Sequence, residues 1–412
     1  MAATRASGIV VVGGGVAAAK AVETLRDEGY DGPVTVLAEE PLLPYDRPPL
    51  SKGVLKGEDE PDSTTLLEQD WYVEHDVDVR LGSAAVGLDP DGHTVRTADG
   101  SDLRYERLLL ATGSRVRTLP VPGADLDGVL TLRRLEDSVR MRDAFKAGPR
   151  VVVVGAGWIG LEVAAAARSH GADVTVVSPE PPLVRALGSA MSDVFAAAHR
   201  DNGVDLRIGP GIEQLRGDGR VEAVVTDDAQ VLPADLVVVG VGVAPLTELA
   251  AEVGLEVDEA TGGVLVDGSL RTSHPDVLAA GDIAAWPCSP LGDRLVRVEH
   301  WANAHDGGIT AGRVLAGRDV VHEKLPFFFT DQYDIGMEYV GHVADPEEAQ
   351  LVTRGDVAGR EFIAFWLVDG RLDAGMHLNM WDATDGLKAL IESRRELDPA
   401  RLADPDVPLA DV

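Results

Sequence analysis

Cysteine is almost absent from this chain. Cys288 is the single cysteine among 412 residues, so the chain can form neither an internal disulfide nor a redox-active thiol pair. It also cannot hold an iron–sulfur cluster on its own thiolates. Any redox chemistry must therefore come from a bound organic cofactor.

Basic residues are scarce relative to acidic ones. The chain has 37 Lys and Arg against 69 Asp and Glu, which gives a formal net charge of −32. A field of this sign repels phosphate backbones and anionic lipid headgroups. We therefore expect no nucleic-acid partner and no membrane partner.

Long apolar runs are missing as well. No stretch approaches the roughly 18 apolar residues that a membrane-spanning helix needs. The first apolar run, Ile9 to Val12, is broken at once by Gly13-Gly14-Gly15 instead of continuing as the core of a signal peptide. These absences predict a cytoplasmic protein. What is present, 45% hydrophobic residues over 412 positions, predicts two or three globular domains with clefts that could take a cofactor.

One local pattern occurs twice: an apolar strand, a glycine-rich turn and a helix that leads into a second strand. The residues at the turn positions are Gly13, Gly15 and Ala18 in the first copy and Gly155, Gly157 and Gly160 in the second. In this spacing the first glycine permits a tight turn, the second lets the backbone approach a pyrophosphate, and the third packs helix against strand. The helix N-terminus offers its unpaired N–H groups to the phosphates. The repeat predicts two dinucleotide sites; the alternative is two α/β domains whose glycine turns bind nothing.

Two shorter segments fit a protein with two such sites. The strand-like run from Arg107 to Val116 contains Ala111-Thr112-Gly113, where a glycine allows the chain to reverse beside a cofactor. The run from Pro275 to Trp286 contains a strand that ends in Gly281-Asp282 before an expected helix start. Asp282 is therefore predicted to cap that helix and to accept a hydrogen bond from a ribityl hydroxyl.

The sequence changes character at about His322. The aromatic cluster Phe327-Phe328-Phe329 is followed by strand-like runs and then by a helix-like stretch from Ala383 to Glu396. We expect a third domain of antiparallel strands plus a helix. The Pro- and Asp-rich tail, residues 398–412, is expected to lie extended on the surface.

Five segments together carry a resemblance to a known family. They are PYDRPPLSK from Pro44, GAGWIGLEVAA from Gly155, AAGDIA from Ala279, EHWANA from Glu299 and FFFTDQYDIG from Phe327. With the order of the glycine units, they resemble the FAD-dependent ferredoxin reductases that serve bacterial cytochrome P450s and aromatic-ring dioxygenases. The match runs over nearly the whole chain.

The resemblance implies an α/β fold with two Rossmann-like dinucleotide-binding domains, as in glutathione reductase, and a C-terminal α+β domain. The FAD-binding domain is expected to be discontinuous, over residues 1–113 and 245–321. The NAD(P)H-binding domain, residues 114–244, is expected to interrupt it, and the C-terminal domain is expected over 322–412.

The resemblance also assigns roles to individual residues. Those expected to bind FAD are Gly13, Gly15, Ala18, Glu39, Arg47, Pro48, Lys52, Ala85, Thr112, Gly113, Arg133, Gly281, Asp282 and Trp301. Those expected to bind NAD(P)H are Gly155, Gly157, Ile159, Gly160, Glu162, Ser178, Arg185 and Gly242. Those expected at the reacting centre are Lys52, Glu162, Trp301 and Phe329.

Part of this assignment has a physical reason in the sequence. Two prolines fix the backbone before Lys52, so its ammonium group is delivered to a defined place. Glu162 is its predicted ion-pair partner beside flavin N5, and Trp301 and Phe329 are predicted to wall the flavin ring. The alternatives are that Lys52 is a surface lysine and that Glu162 is a helix-start carboxylate stabilised by the helix dipole. Trp301 and Phe329 could equally be core aromatics. No histidine shows metal-ligand spacing, so no metal is expected.

The choice of coenzyme stays open at this stage. The second strand of the NAD(P)H unit ends at Ser178, where members of the family that prefer NADH usually carry Asp or Glu. Glu180 could instead reach the ribose hydroxyls and favour NADH, whereas Ser178 with Arg185 could accept a 2′-phosphate. We expect NADH, with NADPH possible.

The expected partner is a [2Fe–2S] ferredoxin, bound transiently, that serves a downstream cytochrome P450 or oxygenase. Arg313, Arg318 and Lys324 could form a basic docking patch, although Ile309 stands where many relatives place an arginine. Two other functions share the cofactor motifs: an NAD(P)H oxidase or diaphorase, and a redox-controlled binding protein similar to apoptosis-inducing factor. We expect a monomer or a weak dimer.

Overall fold

A computed structural model describes residues 8–412; residues 1–7 of the predicted FAD-binding domain lie outside the described residues. Within this range the helices are α1 Val16–Asp27, α2 Gly53–Lys56, α3 Gln69–Glu74, α4 Leu135–Phe145, α5 Trp158–Ser169, α6 Val184–Leu187, α7 Ser189–Asp201, α8 Glu248–Glu252, α9 Trp301–Leu315, α10 Thr384–Ser393 and α11 Pro399–Ala403. Short 3-10 turns lie at Pro48–Ser51, Pro61–Thr64, Gly281–Ile283, Ser289–Leu291 and Leu409–Asp411.

The strands within the same range are β1 Ile9–Val12, β2 Val34–Leu37, β3 Val77–Arg80, β4 Ala85–Asp89, β5 Thr94–Thr97, β6 Asp102–Arg104, β7 Arg107–Leu110, β8 Ser114–Val116, β9 Val129–Leu130, β10 Arg150–Val154, β11 Asp173–Ser178, β12 Asp205–Ile208, β13 Ile212–Gly217, β14 Val221–Thr226, β15 Val231–Pro233, β16 Leu236–Val239, β17 Val243–Pro245, β18 Val264–Leu265, β19 Val277–Ala279, β20 Ala284–Cys288, β21 Arg294–Val296, β22 Phe327–Gln332, β23 Ile335–Gly341, β24 Gln350–Asp356, β25 Glu361–Val368 and β26 Arg371–Leu378.

The chain divides into two compact units, each built from three stretches of sequence. Unit 1 contains the residues up to Asp46, Thr64–Arg115 and Ala244–Pro326. Unit 2 contains Arg47–Ser63, Val116–Val243 and Phe327–Val412. The three-domain division expected from the sequence stays a prediction.

Unit 1 is organised around a parallel sheet in the order β19-β7-β1-β2-β3. All four residues of β1 are buried, as expected for a central parallel strand with both faces covered. Helix α1 connects β1 to β2 and packs against α9. The two helices approach closely because Gly308 and Gly312 face α1, where a Cβ would lie 2.5 Å from the carbonyl oxygens of Ala17 and Ala21.

Unit 2 contains a second parallel sheet, in the order β12-β11-β10-β16-β9. Helix α5 connects β10 to β11, so the strand–turn–helix–strand order of β1, α1 and β2 is repeated. The antiparallel strands β13, β14 and β15 contribute to a valine-rich core with β10 and β16, represented by Val152, Val224 and Val237.

The C-terminal part of unit 2 is an antiparallel sheet in the order β22-β23-β26-β25-β24. Helix α10 packs against β26 and β23, and Phe362, Phe365 and Trp366 are fully buried. The expected fold class, two Rossmann-like α/β sheets with a C-terminal α+β part, is confirmed.

One local expectation is wrong. The helix predicted to start at Asp282 is absent from the described structure, where the 3-10 turn Gly281–Ile283 leads directly into β20. Pro287 lies within this strand, and a proline disfavours helical backbone at the residue before it. Asp282 therefore caps no α-helix.

The tail lies mostly at the surface, as expected, but it is not extended throughout. Residues 398–412 contain α11, and Leu402 and Val412 are buried at 0% and 5% exposure. The buried guanidinium of Arg354 on β24 donates to three backbone carbonyls of the tail, those of Arg401, Leu402 and Val407. This contact explains the difference, because a polar tail packs where its carbonyls satisfy a buried cation.

Candidate functional site

The first glycine turn, in unit 1, has an open face. Gly13 has φ +142°, and a Cβ there would clash with the carbonyl oxygen of Ala111. Gly15 precedes α1 as its N-cap, with no side-chain cap and with no described atom within 4 Å of a Cβ placed on it. Ala18 is buried on α1. The N–H groups of the helix N-terminus are thus accessible to an anion, and the turn fits a pyrophosphate.

The second glycine turn, in unit 2, has the same arrangement. Gly155 has φ +104° and lies against the carbonyl of Gly240. Gly157 is the N-cap of α5, again without a side-chain cap and with no described atom within 4 Å of an added Cβ. At Gly160 a Cβ would clash with the carbonyl oxygen of Gly155. Ile159, 45% exposed, lies on the first turn of α5. This turn also fits a pyrophosphate.

Three further residues expected to bind FAD lie at strand ends in unit 1. Glu39 is exposed two residues after β2, whereas the neighbouring Glu40 accepts a hydrogen bond from the hydroxyl of Tyr45 at 2.6 Å. The Thr112 hydroxyl donates to the carbonyl of Leu246 at 2.7 Å. Gly113 has φ +69°. At this reversal the Thr112 side chain is already bonded within the fold, so the structure favours backbone approach to a cofactor there.

The remaining FAD candidates of unit 1 differ in burial. Ala85 begins β4 and is half-buried. Gly281, with φ +75°, packs near Ala17 of α1, while Asp282 is half-buried. Trp301 begins α9, donates its indole N–H to Asp46 at 2.6 Å and stacks on a histidine. Trp301 is half-buried, so it is no ordinary core aromatic; a place beside the flavin stays a prediction.

Unit 2 brings together two charged residues that are far apart in sequence. The ammonium Nζ of Lys52 lies 2.8 Å from Oε1 of Glu162, although 110 positions separate them. The side chains are only 15% and 4% exposed, so water screens this pair much less than a surface pair. The expected ion pair is present.

Two residues at this ion pair were missed by the sequence reasoning. The hydroxyl of Ser51 donates to Oε2 of Glu162, and the hydroxyl of Thr330 donates to Oε1 at 2.6 Å. The carboxylate therefore accepts three hydrogen bonds, one of them from the ammonium of Lys52, which satisfies a buried charge. Ser51 could have been suspected because it precedes Lys52. For Thr330 the available signal was its place in the family segment FFFTDQYDIG, directly after Phe329.

Phe329 lies beside the same lysine. Nζ of Lys52 is 5.4 Å from the centroid of its ring, within reach of a cation–π interaction. The half-buried ring, Pro48, Lys52 and Asp331 line one open groove of unit 2. Of the other candidates, Arg47 donates to the carbonyl of Arg133 at 2.5 Å. Lys52, Glu162 and Phe329 are thus assembled in one place.

The expected coenzyme residues lie beyond the second turn. Ser178 ends β11 and is 6% exposed, and its hydroxyl accepts the N–H of Glu180 at 3.3 Å. Arg185 binds the Glu180 carboxylate with two N–H groups, one of them at 2.6 Å. These bonds lower the pKa of Glu180, so the carboxylate stays ionised. Gly242 has φ +95° and accepts an N–H at 3.0 Å through its carbonyl.

The single cysteine takes no part in this chemistry. Cys288 is fully buried, and burial raises the pKa of its thiol to about 11. The thiol stays protonated at neutral pH and cannot act as a thiolate nucleophile. Among residues 8–412, no cluster of three or more His, Cys, Asp or Glu is placed to hold a metal ion.

The proposed basic patch is partly neutralised. Arg313 and Arg318 both bind the same carboxylate, that of Glu28, at 3.3 and 2.8 Å.

A further finding bears on membranes: over the part of the chain that the structure describes, no helix has both the length and the apolar character needed to cross a bilayer.

Comparison with known proteins identifies the families to which this architecture corresponds. Residues 7–308 match the pyridine nucleotide-disulphide oxidoreductase family, and residues 327–412 match the reductase C-terminal family. The chain is 38% identical over 403 residues to rhodocoxin reductase of Rhodococcus erythropolis, covering 97% of this chain and 93% of that protein.

Two further comparisons agree. The ferredoxin–NAD(+) reductase subunit of the benzene 1,2-dioxygenase system of Pseudomonas putida is 34% identical over 99% of this chain and 98% of its own length. The crystal structure of the ferredoxin reductase for the CYP199A2 system of Rhodopseudomonas palustris superimposes with a TM-score of 0.93 at 34% identity, over 99% of this chain and 100% of that one. The chain therefore belongs to the pyridine nucleotide-disulphide oxidoreductase family, among the ferredoxin reductases that carry a reductase C-terminal domain.

Proposed function

We propose that this protein transfers electrons from NADH through FAD to a [2Fe–2S] ferredoxin that serves a cytochrome P450 or a ring-hydroxylating oxygenase. It is an oxidoreductase whose cofactors are FAD and NAD(H). We further propose that it acts in the cytoplasm.

One observation carries the proposal: two open glycine turns occur in a chain with no cysteine pair. Both turns fit dinucleotides, yet Cys288 is alone and buried, so no disulfide within the chain can take the electrons. The electrons must leave for an external acceptor. The full-length similarity to reductases named for ferredoxin supports a ferredoxin in that role.

The chain's own residues supply binding and orientation. FAD, when bound, accepts an electron pair and releases the electrons one at a time, which suits transfer to a one-electron carrier. The turn at Gly13 and Gly15 would hold its pyrophosphate, and the turn at Gly155 and Gly157 would hold that of NADH. No protein nucleophile is required, so positioning and electrostatics are the main contributions of the protein.

Lys52 and Glu162 are proposed to act at the reacting centre. The ion pair is shielded from water and its carboxylate is held by two hydroxyls, so both charges keep fixed positions. A fixed ammonium beside a site where negative charge develops stabilises that charge without reorganisation. Phe329, in contact with Lys52, would form one wall of this place.

Glu180 is proposed to select NADH. Its carboxylate is ionised and lies just beyond β11, where it can accept hydrogen bonds from ribose hydroxyls and repel a 2′-phosphate. Arg185, which could otherwise bind that phosphate, is engaged by Glu180. Substituting Glu180→Gln should release Arg185 and shift the ratio of kcat/KM for NADH over NADPH towards NADPH by about fivefold.

Anaerobic stopped-flow absorbance tests the whole proposal. The FAD-loaded protein is mixed with NADH or NADPH, and the reduced protein is then mixed with a set of [2Fe–2S] ferredoxins. Rapid bleaching by NADH followed by rapid reoxidation by a ferredoxin is expected. Fast reoxidation by oxygen without stimulation by any ferredoxin would indicate an oxidase or diaphorase. Slow reduction with a persistent long-wavelength band would indicate a redox-controlled binding protein.

A further inference from the structure

A line of hydrogen-bonded polar side chains in unit 2 continues from the ion pair, and all of them except the half-buried Tyr333 are buried. Thr330 on β22 accepts a hydrogen bond from the amide Nε2 of Gln332 on the same strand at 3.1 Å. The amide oxygen of Gln332 lies 2.8 Å from Nε2 of His199 on α7. The other ring nitrogen, Nδ1, lies 3.1 Å from the hydroxyl of Tyr333. We call Thr330, Gln332, His199 and Tyr333 the polar chain.

The protonation of two members follows from their burial. His199 is 0% exposed, and burial lowers its pKa to about 4, so its ring is neutral at pH 7. A neutral ring donates through one nitrogen and accepts through the other. Burial also raises the pKa of Tyr333, so its hydroxyl keeps its proton.

A single arrangement of hydrogens satisfies every contact. Glu162, paired with the ammonium of Lys52, is a carboxylate and only accepts, so the Thr330 hydroxyl must donate to it. The Thr330 oxygen then accepts from the Gln332 amide nitrogen, which turns the amide oxygen towards His199. That oxygen requires a proton on Nε2 of His199, and the bare Nδ1 requires the hydroxyl hydrogen of Tyr333.

The opposite order of hydrogens fails at the contact between Thr330 and Glu162. If the Tyr333 hydroxyl accepted from Nδ1 of His199, each later bond would reverse. Thr330 would then present a lone pair to the Glu162 carboxylate at 2.6 Å. Two acceptors at that distance repel, and a buried acceptor without a donor is costly. The charge of Glu162 thus sets the orientation of Gln332 and the tautomer of His199.

We propose that the polar chain is one ordered series of donors that ends on Glu162 and holds its carboxylate towards Lys52, with Gln332 and His199 as positioning residues. This inference rests on the proposed function for its effect on turnover, but the hydrogen order itself does not depend on that function. Successive donors in a buried series polarise one another, so Thr330 donates more strongly than an isolated hydroxyl.

Nuclear magnetic resonance tests the hydrogen order directly. In FAD-loaded protein labelled with ¹⁵N-histidine, long-range ¹H–¹⁵N correlation distinguishes a proton on Nε2 from one on Nδ1. We expect His199 to carry its proton on Nε2 at pH 7. Oε1 of Glu162 accepts from both Lys52 and Thr330, so the acceptor itself must be removed. In Glu162→Leu no acceptor faces Thr330, both orders become possible, and a mixture of tautomers is expected.

The buried His322 of unit 1, which is hydrogen-bonded to Thr310, is the internal reference and should keep the same spectrum in both proteins. A proton on Nδ1 of His199 in the unmodified protein overturns the proposal. A pure Nε2 tautomer in Glu162→Leu also overturns it, since the carboxylate would then not set the order. The first measurement needs no variant and therefore stands whether or not substitutions fold.

Kinetics test the positioning role. Gln332→Met keeps the side-chain volume but removes the donor and the acceptor. We expect the rate of flavin reduction by saturating NADH to fall about fivefold with KM for NADH nearly unchanged. His322→Asn, a substitution of a buried histidine outside the polar chain, should leave both values unchanged. An unchanged reduction rate in a folded Gln332→Met protein contradicts positioning. Failure of NADH to reduce the unmodified protein contradicts the proposed function instead, and leaves the tautomer result valid.

Discussion

The two glycine turns have the same backbone conformation. They differ in the residues that pack under the turn and in the residues that follow it along the helix. Gly13 and Gly155 both take positive φ and lie against a carbonyl oxygen, and the following N-cap glycine is open in both. In unit 1 the third position is Ala18, whereas in unit 2 it is Gly160, whose missing Cβ makes room for the Gly155 carbonyl. The open face serves any pyrophosphate. The packing beneath it is particular to each unit.

The comparison extends to the position two residues further along each helix. Lys20 of α1 and Glu162 of α5 occupy the same place after their glycine turns. Lys20 pairs with Glu23 three residues on, and both are partly exposed, whereas Glu162 is buried and pairs with a lysine from another element. A position that is ordinary in one copy of the repeat has become a buried charged site in the other.

Substituting the first glycine in each unit should separate the two sites. In Gly155→Val a β-branched side chain would clash with Gly240 and would require a positive φ. NADH binding should weaken by about a hundredfold or more, with FAD still bound. Gly13→Val should instead release FAD. FAD absorbance after desalting and a titration with NAD⁺ measure the two effects; loss of FAD from Gly155→Val would mean that the two sites are reversed.

The two units should respond alike to acid, since each contains a buried histidine. Burial lowers the pKa of His199 and of His322 to about 4, below the value of about 6.5 expected in the unfolded chain. The unfolded chain then takes up more protons between these values, so stability falls as pH drops from about 6.5 to about 4. At pH 5 each histidine should lower the free energy of unfolding by about 2 kcal/mol relative to pH 8.

Urea denaturation at pH 8 and pH 5 measures this effect. His199→Asn and His322→Asn should each show a smaller difference between the two pH values than the unmodified protein. Equal differences in all three proteins would show that these histidines are not buried in the neutral form.

Removing each lysine tests the difference between the exposed Lys20–Glu23 pair and the buried Lys52–Glu162 pair. Lys52→Met leaves the Glu162 carboxylate buried without its cation, and flavin reduction by NADH should slow by about twentyfold. Lys20→Met, which breaks an exposed pair, should stay within about twofold. Stopped-flow reduction of both FAD-loaded variants decides the matter, and equal rates would remove Lys52 from the reacting centre.

Exchanging the third residue of each turn should give the smallest effect. Gly160→Ala places a methyl group against the Gly155 carbonyl, and we expect NADH affinity to fall about tenfold. Ala18→Gly creates no clash and should lower stability by only about 1 kcal/mol. Calorimetric titration of Gly160→Ala with NAD⁺ and thermal unfolding of Ala18→Gly measure these effects. An unchanged affinity of Gly160→Ala for NAD⁺ would show that the second turn accommodates the added methyl group.

The confirmed expectations about the fold rest on patterns of residues that are neighbours along the chain. The strands β1 and β10, the turns after them and the helices α1 and α5 could all be read from spacing, because a strand–turn–helix unit is determined by neighbours along the chain. The prediction of a helix at Asp282 was wrong, because the residues that follow form the strand β20, which is stabilised by pairing with β18 and β21. The tail is not extended throughout as expected, because it packs on Arg354, which lies more than 40 residues earlier.

The sequence by itself determined the two dinucleotide turns, the lack of thiol chemistry and, through its family motifs, the pairing of Lys52 with Glu162. Only the tertiary structure decided how that pair is held. Ser51, His199 and the strand β22, which carries Thr330 and Gln332, come from three separate segments that meet within unit 2. No periodicity along one segment encodes such a meeting, because its hydrogen bonds form only when distant elements pack and exclude water.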